Sequence, residues 1–188
     1  MTVFEEALLF AAEKHAGMVR RGEKVPYLLH PMEAAVIAGT LTDDEEVLAA
    51  AVLHDTVEDT DTTPEEIERC FGARVASLVA SETEPGHREL PPEESWELRK
   101  AESLEKLRTA ADPGVKILWL SDKLSNMRAF HRLWKVRGDA LWEGYHQKDP
   151  ARQARYYRSI AELLDGLRDT AAWQEYHSLV ETVFSRVE

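Results

Sequence analysis

The sequence predicts a single all-α domain. Apolar residues recur at three-to-four spacing over nearly the whole chain, Pro31 and Pro64 fall where helices would start, and no strand-pairing signal is visible. Residues 2–17 place Phe4, Leu8, Ala11, Ala12 and His15 on one helical face, ending near Gly17. A basic, turn-rich stretch follows from Arg20 to Lys24. Pro31 suits the first turn of a helix over 31–41 and leaves His30 at its entry. Residues 44–58 form the most apolar helix, greasy almost all round from Val47 to Leu53, as expected of a central buried element. Thr63 as N-cap, Pro64 at the first position and Glu66 closing a capping box start a helix that ends near Gly72, and another spans 73–82. Residues 84–93, with three prolines and one glycine, read as an exposed loop, followed by a polar helix over 94–111. The buried segment 114–134 has strand-like content at 115–121, but Ile117, Leu118, Leu120, Leu124, Met127 and Phe130 fit helical spacing over the longer window. Helices near 138–146, 150–168 and 171–186 complete one domain over 1–188, with a core at about 4–137 and C-terminal helices at about 138–186.

Composition narrows the function. With 188 residues, 44% of them hydrophobic and 31% charged, the chain is an ordinary globular one. A net charge of -12 repels polyphosphate backbones, so no nucleic-acid partner is expected. A small anionic substrate would need a local cluster of Lys, Arg or metal ions. Cys70 is the only cysteine, which excludes an intrachain disulfide and a thiolate cluster, so any metal must use imidazole and carboxylate. The N-terminus has neither a long apolar run nor a basic start, so a cytoplasmic protein without a membrane partner is expected.

The chemistry concentrates in HDTVED, residues 54–59, directly after seven apolar residues. If the helix persists, His54, Asp55, Glu58 and Asp59 fall within an arc of about 140°. Burying one imidazole and three carboxylates together is costly unless a cation compensates them. Such a donor set suits Mn²⁺, Fe²⁺ or Zn²⁺. His30, in YLLHP, and Asp122, inside KILWLSDKLSNM, are further candidates. A buried Asp needs a partner; Asn126 shares its face, and a salt bridge to Lys123 or Arg128 is the bland alternative.

The runs HAGMVRRGEKVPYLLHP, AVLHDTVEDTDTTPEEIERCFGARVASLV and KILWLSDKLSNMR together resemble the hydrolase domain of the RelA/SpoT alarmone enzymes, and more closely the small stand-alone alarmone hydrolases. The likeness covers roughly 4–137, with a weak gap at 83–112, and the ordered motifs are specific for an HD-domain phosphohydrolase. The resemblance implies a helical bundle with one divalent ion, typically Mn²⁺, on His30, His54, Asp55 and Asp122. It implies water activation by Glu58 and Asp59, base packing by Arg20, with Arg21 nearby, and nucleotide contacts from Asn126 and Tyr156. Lys100 or Arg99 would hold the diphosphate. The implied reaction converts guanosine 3′,5′-bis(diphosphate), a small-molecule nucleotide, to GDP and pyrophosphate. The family continues with a Val-Thr-Lys type sequence where this chain reads SETEPGHRE, so a basic residue is lost and Glu82 and Glu84 are gained. That departure keeps another nucleotide open as substrate, such as the 2′-phosphate of NADPH. A non-catalytic regulatory module is the third possibility.

Overall fold

The computed structural model describes residues 1–84, 86–87 and 90–187. The helices are α1 Val3–Lys14, α2 Leu29–Ala38, α3 Glu45–Leu53, α4 Thr56–Asp59, α5 Pro64–Phe71 and α6 Ala73–Glu82, then α7 Pro92–Thr109, α8 Pro113–Arg137, α9 Pro150–Leu163 and α10 Ala171–Val183. Short 3₁₀ turns at Gly138–Gly144 and Asp165–Leu167 flank α9. Among the described residues there is no strand, only an isolated antiparallel bridge between Val19 and Pro26. None of these helices is long and apolar enough to cross a membrane.

α3 is the axis of the fold. Ala49, Ala50, Ala51, Val52 and Leu53 are fully buried, and α1, α2, α6 and α8 pack around it. The three alanines let neighbouring helices approach closely. The branched side chains around them, Ile67, Val75 and Leu118, each contribute on the order of 1.5–3 kcal/mol by leaving water. α8 is the long spine, touching α2 and α10 on its sides and α3 and α6 near its start. Arg74 ties these starts together. Its guanidinium reaches Asp44 and Glu46 at 2.8 Å and Asp112 at 2.9 Å. Asp44 and Asp112 are also the N-caps of α3 and α8. A second cluster joins the C-terminal helices to α8, with Trp142 stacked on Phe184 at 5.4 Å and the Tyr176 hydroxyl donating to the Tyr157 carbonyl at 2.8 Å.

The elements match the apolar spacing closely, with four differences. The helix expected over 44–58 breaks after Leu53 and restarts at Thr56. His54 Nδ1 donates to the Ala51 carbonyl and Thr56 Oγ1 to the Leu53 carbonyl, so side chains cap α3 where another turn would have formed. α2 begins at Leu29, which puts His30 inside the first turn. The segment near 138–146 is a 3₁₀ turn, and α9 stops at Leu163. Part of the loop expected over 84–93 (Pro85, Arg88 and Glu89) lies outside the described residues.

Candidate metal centre and its pocket

The first turn of α2, the break between α3 and α4, and the middle of α8 meet at one point. His30 Nε2 lies 3.0 Å from Asp122 Oδ1 and 3.4 Å from Asp55 Oδ2. His54 Nε2 lies 3.1 Å from Asp55 Oδ2 and 3.4 Å from Asp122 Oδ1. The two imidazole Nε2 atoms are 3.3 Å apart. Sequence reasoning named these four residues, and the fold brings all four together. The broken helix does not undo the convergence, because His54 and Asp55 both keep right-handed helical backbone angles.

Hydrogen bonding fixes what these atoms can do. A carbonyl only accepts, so His54 Nδ1 carries the proton it gives to Ala51 at 2.8 Å. Ser125 Oγ gives its hydrogen to Glu33 Oε2 at 2.7 Å, so it accepts from His30 Nδ1 at 2.8 Å. Both Nε2 lone pairs therefore face carboxylate oxygens across a buried gap. Neutral imidazoles cannot satisfy that arrangement; a proton or a metal cation can. Burial pushes His54 down, but Asp55 and Asp122 outweigh it and hold the imidazole well above its usual value. Burial lowers His30. Against burial, the charge of Lys123 and the hydrogen-bonding contacts of His30 and His54 keep Asp122 well below the usual carboxylate range. The donor set of two imidazoles and two carboxylates fits a divalent ion.

Helix-face spacing could have identified part of the support. Glu33 lies three residues beyond His30, and Ser125 three beyond Asp122, each on the ligand's own face. Tyr27, one turn before His30, was missed too. Its hydroxyl donates to Asp55 Oδ2 at 2.5 Å. Lys123 Nζ sits 2.5 Å from Asp122 Oδ2 and 3.1 Å from Glu82 Oε2. The bland pairing of Asp122 with Lys123 and its place beside the histidines thus coexist, one carboxylate oxygen for each. Glu82 Oε1 is buried without a partner, and burial pushes this carboxyl up to about 7.

The centre opens into a cavity of about 660 Å³, whose wall includes His30, Asp55 and Asp122. Arg20, Arg21, Glu58, Lys100, Asn126 and Tyr156 also line it, so every substrate-contact candidate reaches one cavity. Arg20 donates to Asn126 Oδ1 at 2.7 Å, and Asn126 Nδ2 donates to Asp122 Oδ1 at 2.7 Å. Arg21 lies 5.7 Å from the Tyr145 ring, and Lys100 lies 4.7 Å from the Tyr156 ring. Glu58 stands on an exposed turn, yet surrounding protein crowds its carboxyl. Desolvation, then the charges of Asp55 and Glu84, push it up to about 7. Asp59 is raised for the first two of these reasons. Trp96, Arg99 and Glu84 line the cavity as well.

Comparison with known proteins places this geometry among relatives. The family profile described as HD domain matches residues 7–140. The chain is 44% identical over 133 residues to the guanosine-3′,5′-bis(diphosphate) 3′-pyrophosphohydrolase of Aquifex aeolicus, covering 71% of this chain and only 18% of that longer protein. It is 39% identical over 170 residues to the human guanosine-3′,5′-bis(diphosphate) 3′-pyrophosphohydrolase MESH1, covering 88% of this chain and 84% of that one. Among solved structures, a metazoan ortholog of SpoT described as hydrolysing ppGpp superposes with a TM-score of 0.74 at 28% identity, over 99% of this chain and 96% of that one.

Proposed function

This chain belongs to the HD domain family, and on that premise we propose that it is a metal-dependent phosphohydrolase that removes the 3′-diphosphate of guanosine 3′,5′-bis(diphosphate). The observation that carries the reading is the meeting of two imidazole lone pairs and two carboxylates at the floor of a cavity rimmed by Arg20, Arg99 and Lys100. The relatives named for this hydrolysis support the substrate.

His30, His54, Asp55 and Asp122 would hold the ion, taken to be Mn²⁺. The chemistry supplied by a divalent ion there is a bound water of lowered pKa and polarisation of a phosphoryl oxygen. Glu58, which lines the cavity, takes the proton from the attacking water, while Asp59, next to it at the end of α4, is not among the cavity-lining residues and supports it from outside the wall. The new bond joins water oxygen to the 3′-phosphorus. The bond that breaks joins that phosphorus to the ribose 3′-oxygen, which takes up the proton accepted by Glu58 and leaves as a hydroxyl of GDP, while both phosphates depart as pyrophosphate. Arg20, oriented by Asn126, offers a flat guanidinium to the base. Arg99 and Lys100 face the diphosphate, and Arg21 and Tyr156 complete the walls. These cations answer the problem set by the acidic surface, because local charge governs a buried anion more than distant net charge does.

The presence of Glu82 and Glu84 in the cavity wall, Glu84 against Arg99 and Lys100 and Glu82 against Lys123, favours a second reading, an HD phosphohydrolase acting on another nucleotide. The experiment is an assay of purified protein with Mn²⁺ against the alarmone, NADPH and a nucleotide panel. Pyrophosphate release from the alarmone, lost in Asp55→Ala, is expected. Turnover of a different nucleotide alone supports the second reading. Turnover that survives Asp55→Ala overturns the metal mechanism.

A further inference from the structure

The two cations assigned above to the diphosphate already hold an anion. Glu84 Oε2 accepts from Arg99 Nη1, and Glu84 Oε1 accepts from Lys100 Nζ. Each carboxylate oxygen thus takes one cation, the two-oxygen face that a phosphoryl group would present to the same pair. The cations are set in place independently of Glu84. Arg99 also donates to Ser95 Oγ and the Pro92 carbonyl at 3.2 Å, and Lys100 rests on the Tyr156 ring. The Glu84 backbone is anchored separately, its N–H donating to Glu58 Oε2 at 3.2 Å, so the carboxylate can swing away by side-chain rotation alone. Glu84, Arg99 and Lys100 all line the cavity that contains the metal-site carboxylates.

We infer that Glu84 is a specificity-determining latch: its carboxylate occupies the phosphate position between Arg99 and Lys100, and an incoming diphosphate must displace it. The inference deepens the proposed function and rests on its diphosphate subsite. Physically, the pocket keeps its half-buried ammonium compensated when empty and gives it up only to a ligand carrying more charge than a carboxylate. After hydrolysis the same carboxylate competes with pyrophosphate for the pair and hastens its release. The latch raises KM and weakens product inhibition, in exchange for selectivity toward polyanionic ends over single carboxylates.

The test titrates the manganese-loaded protein calorimetrically with inorganic sulfate, a non-reacting dianion, and measures KM and kcat on the alarmone for wild type, Glu84→Gln, Glu84→Asp and Lys100→Gln. Glu84→Gln is expected to bind sulfate about tenfold more tightly and to lower KM by a similar factor, the scale of one charge-assisted hydrogen bond. Its kcat should not rise, and it should melt lower than wild type without anion yet regain more on adding sulfate. Glu84→Asp, which keeps the charge on a shorter stem, should shift KM in the same direction by less, and it serves if the glutamine variant does not fold. Unchanged or weaker sulfate binding and KM in both variants overturns the latch and leaves Glu84 an ordinary ion pair. Sulfate affinity unaffected by Lys100→Gln also overturns it, because the anion then sits elsewhere. Absence of alarmone turnover in wild type sinks the proposed substrate instead, and the sulfate titration still decides the latch.

Discussion

At the scale of single residues, the proposed chemistry depends on how each carboxylate is surrounded. Glu58, pushed up to about 7, is poised to accept a proton near neutral pH. A cation on Asp55 would offset that ligand's push, so we expect kcat/KM to rise with pH along a limb at or just below 7. Glu58→Gln should flatten that limb and lower kcat by about 10²- to 10⁴-fold with little change in KM, as pH-rate profiles of the two proteins would reveal. Tyr27 acts differently, because it touches a proposed metal ligand and not the reacting atoms. Removing its 2.5 Å bond to Asp55 in Tyr27→Phe keeps the ring and frees the carboxylate. Manganese affinity should fall about 10- to 100-fold by calorimetry, with the melting curve of the metal-free protein little changed. Unaltered affinity would show that Tyr27 does not orient Asp55. His54, Asp55 and Asp122 were legible as candidates because each lies in or directly after an apolar run, where an uncompensated polar group is costly, whereas His30 was marked by its place beside Pro31 at a helix entry and the set of four came from the family resemblance. Tyr27 was not legible, since a tyrosine beside a proline carries no such signal.

At the scale of helices, the site depends on where α3 ends and α8 begins. The first turn of α8 presses against α3 and α6 at Gly114, where an added Cβ would lie 2.8 Å from Val47 Cγ2 and 3.3 Å from Leu78 Cδ2. Gly114→Ala should therefore cost about 1–3 kcal/mol by overpacking, measured as a lower denaturation midpoint at unchanged slope. If α8 shifts to relieve the clash, Asp122 moves relative to His54 and manganese affinity falls with stability. A stability equal to wild type would mean that this contact does not set the position of α8. Helix starts such as Thr63-Pro64 were legible because capping is a local interaction. The break at His54 and Asp55 was not, because continuous apolar periodicity up to Leu53 gives no hint that side chains will claim the carbonyls of Ala51 and Leu53.

At the scale of the whole molecule, metal and proton compete for one buried gap. In the metal-free protein, against burial, the Asp55 and Asp122 carboxylates hold the His54 imidazole well above its ordinary value of 6.5 and so favour its protonated form. That contribution to stability is fully present below about pH 6.5, the unfolded value, and is lost as pH rises through the higher folded value. A bound cation replaces the proton, so the melting temperatures of manganese-loaded and chelator-treated protein should diverge as pH rises from 6 upward. At a free metal concentration 100 times the dissociation constant the loaded form gains about 2.7 kcal/mol. Parallel melting curves across that pH range would show that His54 does not share its site with the ion.

By itself the sequence determined the all-α class, the order of the helices and the residue types able to hold a divalent ion. Each of these is written in interactions between residues one to four apart, or in a polar residue set within an apolar run. Only the tertiary structure decided that Arg20 meets Asn126, that Ser125 and Glu33 orient His30, and that Glu84 sits between Arg99 and Lys100. Those pairs join separate elements, and their distances follow from how α2 and α8 pack about α3 and how α7 lies against α6 and α8, which no local periodicity encodes.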